Sequence, residues 1–298
     1  MSMTTTVHSP TAGRRRLRNA LRRARDAAGY TQEQVAEAMD WSLSKVIRIE
    51  TGGVGVSTSD LRQLLLLYRV EDPGHVTELV ELARIGRQRP WWTQYKDRIP
   101  GGYLAYVGLE DDSSALRCVN PVGIPGLLQT EEYGRSLTAA TDWWLVATSD
   151  PSRSERSLAA ERAEMRIIRQ QKVLRRENPP EITAVLDEAV LWRQIGGAEV
   201  LRHQLLHLVA LGSNPHITIQ VLPFAASMLN PMSPFVILEF SDPADTDVVY
   251  IEGVLEFRVV DDPTEVEIHR EVFDRARAAS LPEEESLAMI ARIAGELD

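Results

Sequence analysis

The sequence of 298 residues contains a single cysteine, Cys118, and only three lysines against 30 arginines. One cysteine cannot form an internal disulfide, which fits a reducing compartment. No run of 18 apolar residues occurs, so a membrane-spanning helix is not expected. Residues 1–16 have no apolar stretch, so we expect no secretory signal and a cytoplasmic protein. The scarcity of lysine indicates a G+C-rich coding sequence rather than a chemical requirement.

Composition and length point to an ordinary globular protein. Hydrophobic residues make up 44% of the chain and charged residues 26%, which excludes general disorder. At roughly 100–200 residues per domain, the length allows two domains.

Charge is distributed unevenly along the chain. The net charge is −10, but residues 1–89 hold 14 basic and 10 acidic residues, whereas the remainder holds 19 and 33. Seven arginines fall between Arg14 and Arg25. They can form a solvated helix face or contact phosphate. Because only this part of the chain is basic, an anionic partner is predicted for it alone.

The pattern of residues 14–89 is helical. Residues 1–13 are polar and are predicted to be a flexible arm. Gly29 is expected to end the first helix, and Thr31 with Gln34 forms a capping box that begins the second. Ser42 is predicted to cap a third helix, and Pro73 to open a fifth. The apolar positions at helical spacing include Leu17, Leu21, Ala24, Ala28, Val35, Ala36, Met39, Val46, Ile49, Leu61, Leu64, Leu65, Val76, Leu79, Val80 and Ala83.

The residue pattern of the sequence changes after Pro90 and the Trp91-Trp92 pair. Residues 100–125 are rich in glycine, proline and turn signals. Strands are predicted over 182–186, 217–222, 235–240, 248–252 and 255–260, and helices from Thr130 and over 158–176, 201–211, 263–279 and 283–297. This mixture predicts an α/β (α+β) domain over residues 90–298, behind an all-α domain over residues 14–89.

Two short helices joined by a tight turn form a helix-turn-helix pattern. Val35, Ala36, Met39, Val46 and Ile49 would hold the two helices at a fixed angle. A major groove about 12 Å wide admits one helix, whose outward side chains must reach base edges or phosphates. The outward residues of the second helix are Ser42, Ser44, Lys45 and Arg48.

These segments resemble the Xre/Cro-type helix-turn-helix. The resemblance rests on residues 31–36 (TQEQVA) and 45–52 (KVIRIETG) and covers about residues 14–70. It implies that Gln32 binds phosphate, that Leu43, Ser44 and Arg48 face DNA, and that Glu50 closes the recognition helix. The turn has Asp40 where the family has glycine, and aspartate tolerates the left-handed conformation. The loop 53–57, commonly basic in the family, carries no charge, and its backbone N–H groups would replace a lysine.

The rest of the chain resembles an uncharacterised C-terminal domain found in actinomycete regulators described as antitoxin-like. Trp91-Trp92, residues 125–130 (PGLLQT), 185–189 (VLDEA) and 221–224 (VLPF) carry the resemblance, which spans most of residues 90–290. It implies control of development or specialised metabolism and a small partner protein encoded nearby.

Enzymatic chemistry is not indicated, and we expect no catalytic residue, cofactor or metal. His203 and His207 lie four residues apart, but a metalloprotease needs a glutamate where Gln204 stands. Asp187-Glu188 follows a predicted strand, where a helix cap is favoured over a metal or substrate site. Cys118 is expected to be a buried structural thiol. The pairs Trp91-Trp92 and Trp143-Trp144 are expected to anchor the core, with a ligand pocket as the alternative.

The sequence thus predicts a DNA-binding transcriptional regulator in the cytoplasm, associated with the nucleoid. Its partner would be double-stranded DNA, without membrane contact. Because one recognition helix touches few bases, a homodimer is expected. A ligand or a small protein would control it through the C-terminal domain. The alternative is an antitoxin-like adaptor whose main role is protein–protein binding. The predicted DNA-binding residues are Arg14, Arg15, Arg18, Arg22, Gln32, Ser42, Leu43, Ser44, Lys45 and Arg48.

Overall fold

The computed structural model describes residues 10–52, 54–96, 99, 101–141, 155–226, 233–242, 245–253 and 257–297. The chain divides into two compact units, Met1–Gln94 and Tyr95–Asp298. Trp143-Trp144 lies outside the described residues. In the described ranges, no helix combines the length and the apolar character that crossing a membrane requires.

The described part of the first unit is helical. Its helices are α1 (Pro10–Ala27), α2 (Gln32–Ala38), α3 (Leu43–Glu50), α4 (Thr58–Leu67) and α5 (Pro73–Gly86), followed by a short 3-10 helix at Trp91–Tyr95. Leu21, Val35, Leu61 and Leu79, which come from α1, α2, α4 and α5, meet in one core. This core confirms the prediction that the apolar residues at helical spacing face inward.

The start of α1 corrects the prediction of an arm over residues 1–13. Residues 1–9 lie outside the described residues, but Pro10 begins the helix and Ala12 and Gly13 are buried. A Cβ added at Gly13 would lie 3.1 Å from the carbonyl oxygen of Leu82 in α5. The small residues before Arg14 therefore let α1 approach α5 closely, and this packing extends the helix beyond the region that its apolar spacing indicates.

The second unit contains a six-stranded mixed sheet. Its strands are β1 (Ala115–Asn120), β2 (Glu181–Asp187), β3 (Ile217–Leu222), β4 (Phe235–Glu239), β5 (Val248–Glu252) and β6 (Phe257–Val260). They are arranged in the order β3-β2-β1-β4-β5-β6. Strands β1, β2 and β3 run parallel, with Leu116 opposite Ile182. Strands β1, β4, β5 and β6 pair antiparallel.

Helices surround this sheet in the described part of the unit. They are α6 (Gly101–Glu110), α7 (Glu131–Thr141), α8 (Glu155–Leu174), α9 (Glu188–Trp192), α10 (Ala198–Leu211), α11 (Pro263–Ala279) and α12 (Glu283–Glu296), with a 3-10 helix at Gly126–Leu128. The mixed α/β architecture and the five predicted strands are confirmed, although β6 begins at Phe257 within the described residues. Asp187 accepts a hydrogen bond from the Ala189 N–H at 2.8 Å and caps α9, so the helix-cap interpretation is confirmed.

Residues 100–125, which are rich in turn signals and for which no element was predicted, contain a helix and a strand. Helix α6 occupies Gly101–Glu110, and β1 lies at the centre of the sheet. Gly102 packs against the backbone of Phe257, so a glycine that resembles a turn signal serves close packing. In β1 the polar Arg117 interrupts the apolar pattern because its guanidinium pairs with Glu239 on the neighbouring strand, at 2.7 Å.

Candidate nucleic-acid interface

The turn between α2 and α3 sets the angle between the two helices. Asp40 has φ of 52°, which confirms that it occupies the left-handed position predicted for the turn. The Trp41 N–H donates to the carbonyl oxygen of Ala36 at 2.8 Å and closes the end of α2. Ser42 then accepts the Lys45 N–H with its hydroxyl at 3.3 Å, so α3 begins where predicted.

The start of α2 has the reciprocal cap that the sequence indicates. The Gln34 N–H donates to Thr31 Oγ1 at 3.3 Å, and the Thr31 N–H donates to Gln34 Oε1 at 2.9 Å. Both backbone donors would otherwise lack a helical partner. The first helix of the motif is therefore anchored at the end where Gln32 lies.

Helix α3 has clearly separated inner and outer faces. Val46 and Ile49 are buried, whereas Ser44 and Arg48 are exposed one turn apart. Leu43 and Ile47 are each 38% exposed beside them. The outer face therefore presents a hydroxyl, a guanidinium and two aliphatic side chains, which can contact base edges and thymine methyl groups. Sequence reasoning did not single out Ile47, although it follows Leu43 at the i+4 spacing.

Glu50 fastens the end of α3 to the two preceding helices. Its buried carboxylate accepts Arg25 Nε of α1 and Gln32 Nε2 of α2, each at 2.7 Å. The hydrogen bond with Glu50 raises the pKa of Arg25, against the opposing effect of burial. Glu50 thus sets the position of the recognition helix. The Gln32 amide nitrogen carries a second hydrogen, so its contact with phosphate stays a prediction.

Lys45 is oriented towards its own domain. Its Nζ lies 3.1 Å from Asp60 Oδ2 of α4 and 3.6 Å from the centroid of the Trp41 ring. The ion pair is partly exposed. The ammonium carries two further N–H donors, so the contact of Lys45 with DNA stays a prediction, and Arg48 is fully on the exposed face.

The arginines of α1 differ in their surroundings. Arg22 is exposed, and Arg14 is exposed while its Nε donates to the Gly86 carbonyl oxygen at 2.5 Å. Arg18 is half-buried, with Nε at 3.3 Å from Asn19 Oδ1. Arg15 lies three residues after the buried Ala12 and is itself buried on that side of the helix. Arg15 is therefore set apart from the interface that the exposed residues form.

Two different protein-family models match the chain, one in each of its two compact units. Residues 103–292 match the model described as "Domain of unknown function (DUF5753)", which covers more than half of the chain. The chain belongs to the DUF5753 family. Residues 16–79 match the model described as "Helix-turn-helix domain". Comparisons with curated proteins and with solved structures found no match.

The DUF5753 domain has a polar cluster inside it. The Arg169 guanidinium of α8 pairs with the Glu110 carboxylate of α6, and both side chains are buried. Tyr106 donates its hydroxyl to Glu110 at 2.6 Å, and its ring stacks on Tyr250 at 4.0 Å between centroids. Arg169 also donates to the Tyr103 hydroxyl at 2.5 Å. This cluster joins α6, α8 and β5.

The surface of the DUF5753 domain carries an open groove beside the parallel strands. Trp192 at the end of α9 and Phe224 after β3 line it together with Ala189 and Arg193. Both aromatic side chains are exposed, Phe224 to 65%. The Phe224 N–H donates to Glu188 Oε2 at 2.8 Å, which fixes the backbone of this segment. In the described ranges no three His, Cys, Asp or Glu side chains are grouped as a metal site.

Proposed function

We propose that this DUF5753 protein is a sequence-specific DNA-binding transcriptional regulator. The observation that supports it is the outer face of α3, where Ser44 and Arg48 are exposed beside Leu43 and Ile47 within a capped helix-turn-helix. Helix α3 would enter the major groove, and the exposed arginines of α1 would contact the backbone. Binding of this kind requires no catalytic step.

The DUF5753 domain would supply regulation and dimerisation. A single eight-residue helix contacts only a few base pairs, so selective binding needs two copies on half-sites about one helical turn apart. A ligand or a small protein encoded nearby would change the DNA affinity by binding the DUF5753 domain.

The direct test is selection of DNA from a random library by the full-length protein. We expect one enriched sequence, and binding to it at least about a thousandfold tighter than to scrambled DNA at physiological salt. A variant with Ser44→Ala and Arg48→Ala should enrich no sequence, while its thermal unfolding matches that of the wild type. Equal enrichment by both proteins, or by neither, would contradict the proposal.

A second candidate is an antitoxin-like adaptor that acts by binding a protein partner. The exposed pair Trp192 and Phe224 favours it, because large aromatic side chains are enriched at interfaces. Co-expression of the chain with the product of the neighbouring gene, followed by size exclusion, separates the two candidates. An adaptor would form a stoichiometric complex that Phe224→Ala weakens, and it would bind DNA without sequence preference.

A further inference from the structure

We propose that Arg87, with Arg18 beside it, holds a phosphate of the DNA backbone against the loop after α3, at Gly52 and residues 54–57. This inference rests on the proposed function and identifies a contact outside the helix-turn-helix itself. The loop follows the recognition helix and carries no charged side chain of its own. Positive charge beside this loop comes from Arg18 of α1 and from Arg87 at the end of α5.

The two arginine stems lie beside Gly52 and Gly55 of this loop. A Cβ added at Gly52 would lie 3.8 Å from Arg18 Cδ, and one added at Gly55 would lie 3.9 Å from Arg87 Cγ. Both arginines line a shallow crevice formed by α1, the loop and α5. The backbone of the loop is thus bordered on two sides by positive side chains.

The guanidinium of Arg87 is available to an anion. Its Nη2 donates to Thr58 Oγ1 at 3.1 Å, at the start of α4. Within the described part of the chain no carboxylate pairs with Arg87. Arg84, three residues earlier, differs because Glu81 binds it at 2.7 Å. Since a guanidinium has five N–H donors, the single contact with Thr58 leaves Arg87 able to bind a phosphate.

Arg14 holds the segment that carries Arg87. Its Nε donates to the Gly86 carbonyl oxygen at 2.5 Å, and its Nη2 to that of Gln88 at 3.4 Å. These are the residues on either side of Arg87. Arg14 is therefore a positioning residue for Arg87. This role explains why an arginine stands at the first position of the run from Arg14 to Arg25.

The geometry of α3 brings a DNA strand to this loop. Its eight residues span about 12 Å, close to the width of the major groove. Residues near the start of a recognition helix contact base edges, so the end of the helix reaches the phosphates that border the groove. The Val54 N–H donates to the Arg48 carbonyl oxygen at 3.2 Å and keeps the loop against α3.

The test uses the full-length protein and its selected DNA sequence. For Arg87→Ala we expect the Kd to rise about tenfold at 0.1 M salt, as for loss of one charge-assisted hydrogen bond. The slope of log K against log salt should fall by about one unit, with the ranking of base substitutions unchanged. Arg84→Ala makes the same change in net charge and should leave the affinity and the slope near the wild-type values. Arg87→Lys should restore most of the slope.

Replacing single phosphates of the DNA by uncharged methylphosphonates identifies which phosphate Arg87 contacts. One methylphosphonate at a time replaces a phosphate on the strand beside the end of α3. One position should weaken wild-type binding about tenfold and have no effect on Arg87→Ala. Equal effects on both proteins, or an unchanged slope for Arg87→Ala, would overturn the phosphate contact while selective binding by the wild type upholds the proposed function. Failure of the wild type to select DNA would overturn both.

Discussion

Arg25 donates its Nε to Glu50 Oε1 at 2.7 Å, and this contact joins the first helix of the domain to the last residue of the recognition helix. Both side chains are shielded from solvent, at 13% and 4% exposure. Gln32 approaches the other carboxylate oxygen, so three helices meet at one group. The orientation of the recognition helix therefore depends on a carboxylate that itself faces inward.

Removal of the Glu50 carboxylate should lower the free energy of unfolding of the N-terminal domain. For Glu50→Ala we expect a loss of about 1–3 kcal/mol, because the mutation removes the charged acceptor of Arg25 and Gln32 while Arg25 keeps its ion pair with Asp26, at 2.8 Å. Glu81→Ala is the control, since it breaks the exposed pair with Arg84 and should cost about 0–1 kcal/mol. Urea unfolding followed by circular dichroism gives both values. A loss for Glu50→Ala as small as that for Glu81→Ala would contradict the assigned role.

The local features of the first domain could be predicted from sequence. The capping box at Thr31 and the left-handed Asp40 depend on neighbours within three or four residues, which the sequence shows directly. The same holds for the outward position of Arg48, because Val46 and Ile49 define the inner face.

Features that depend on tertiary contacts could not be predicted. The pairing of Lys45 with Asp60 joins residues 15 positions apart, and the position of Arg87 beside Gly55 brings the end of α5 to the loop after α3. Strand β1 was missed because the charged Arg117 interrupts its apolar pattern, and the partner of Arg117, Glu239, lies on β4 far along the chain.

DNA binding by the full chain should depend strongly on salt although the net charge is −10. The positive charge of residues 1–89 and the exposed arginines of α1 favour contact with several phosphates. Each phosphate neutralised contributes about −0.9 to the slope of log K against log salt. Fluorescence anisotropy between 50 and 200 mM salt, about the range over which such contacts are sensitive, measures the slope. A flat dependence would contradict the phosphate contacts.

We expect the protein to be a homodimer through its DUF5753 domain. One α3 helix has too small a footprint for selective binding, and a pair of recognition helices requires a fixed separation. Light scattering at micromolar concentration should give about twice the monomer mass of 33.4 kDa. A monomer mass both with and without the selected DNA would contradict this prediction.

Cys118 should be unreactive in the folded protein. Burial raises the pKa of its thiol to about 12, so almost none is present as the nucleophilic thiolate at pH 8. Since the unfolded thiol ionises near its ordinary value of 9 and the folded one does not, this group lowers the stability as pH rises above 9. Labelling with a thiol reagent should be slow in buffer and fast in denaturant. Rapid labelling of the native protein would contradict the burial of β1.

Arg48→Ala should weaken discrimination between sequences more than general affinity for DNA. The side chain is exposed on the outer face of α3, where a guanidinium can donate two hydrogen bonds to one guanine. Its loss should cost about 1–3 kcal/mol at one base position and leave binding to scrambled DNA near the wild-type value.

Arg22→Ala is the matched control, because this exposed arginine of α1 would contact the backbone. It should weaken all sequences alike and lower the salt slope by about one unit. The measurement is the affinity of both variants for the selected and the scrambled DNA at two salt concentrations. If Arg48→Ala weakens both DNAs equally, Arg48 contacts phosphate, and if it weakens neither, the outer face of α3 does not enter the groove.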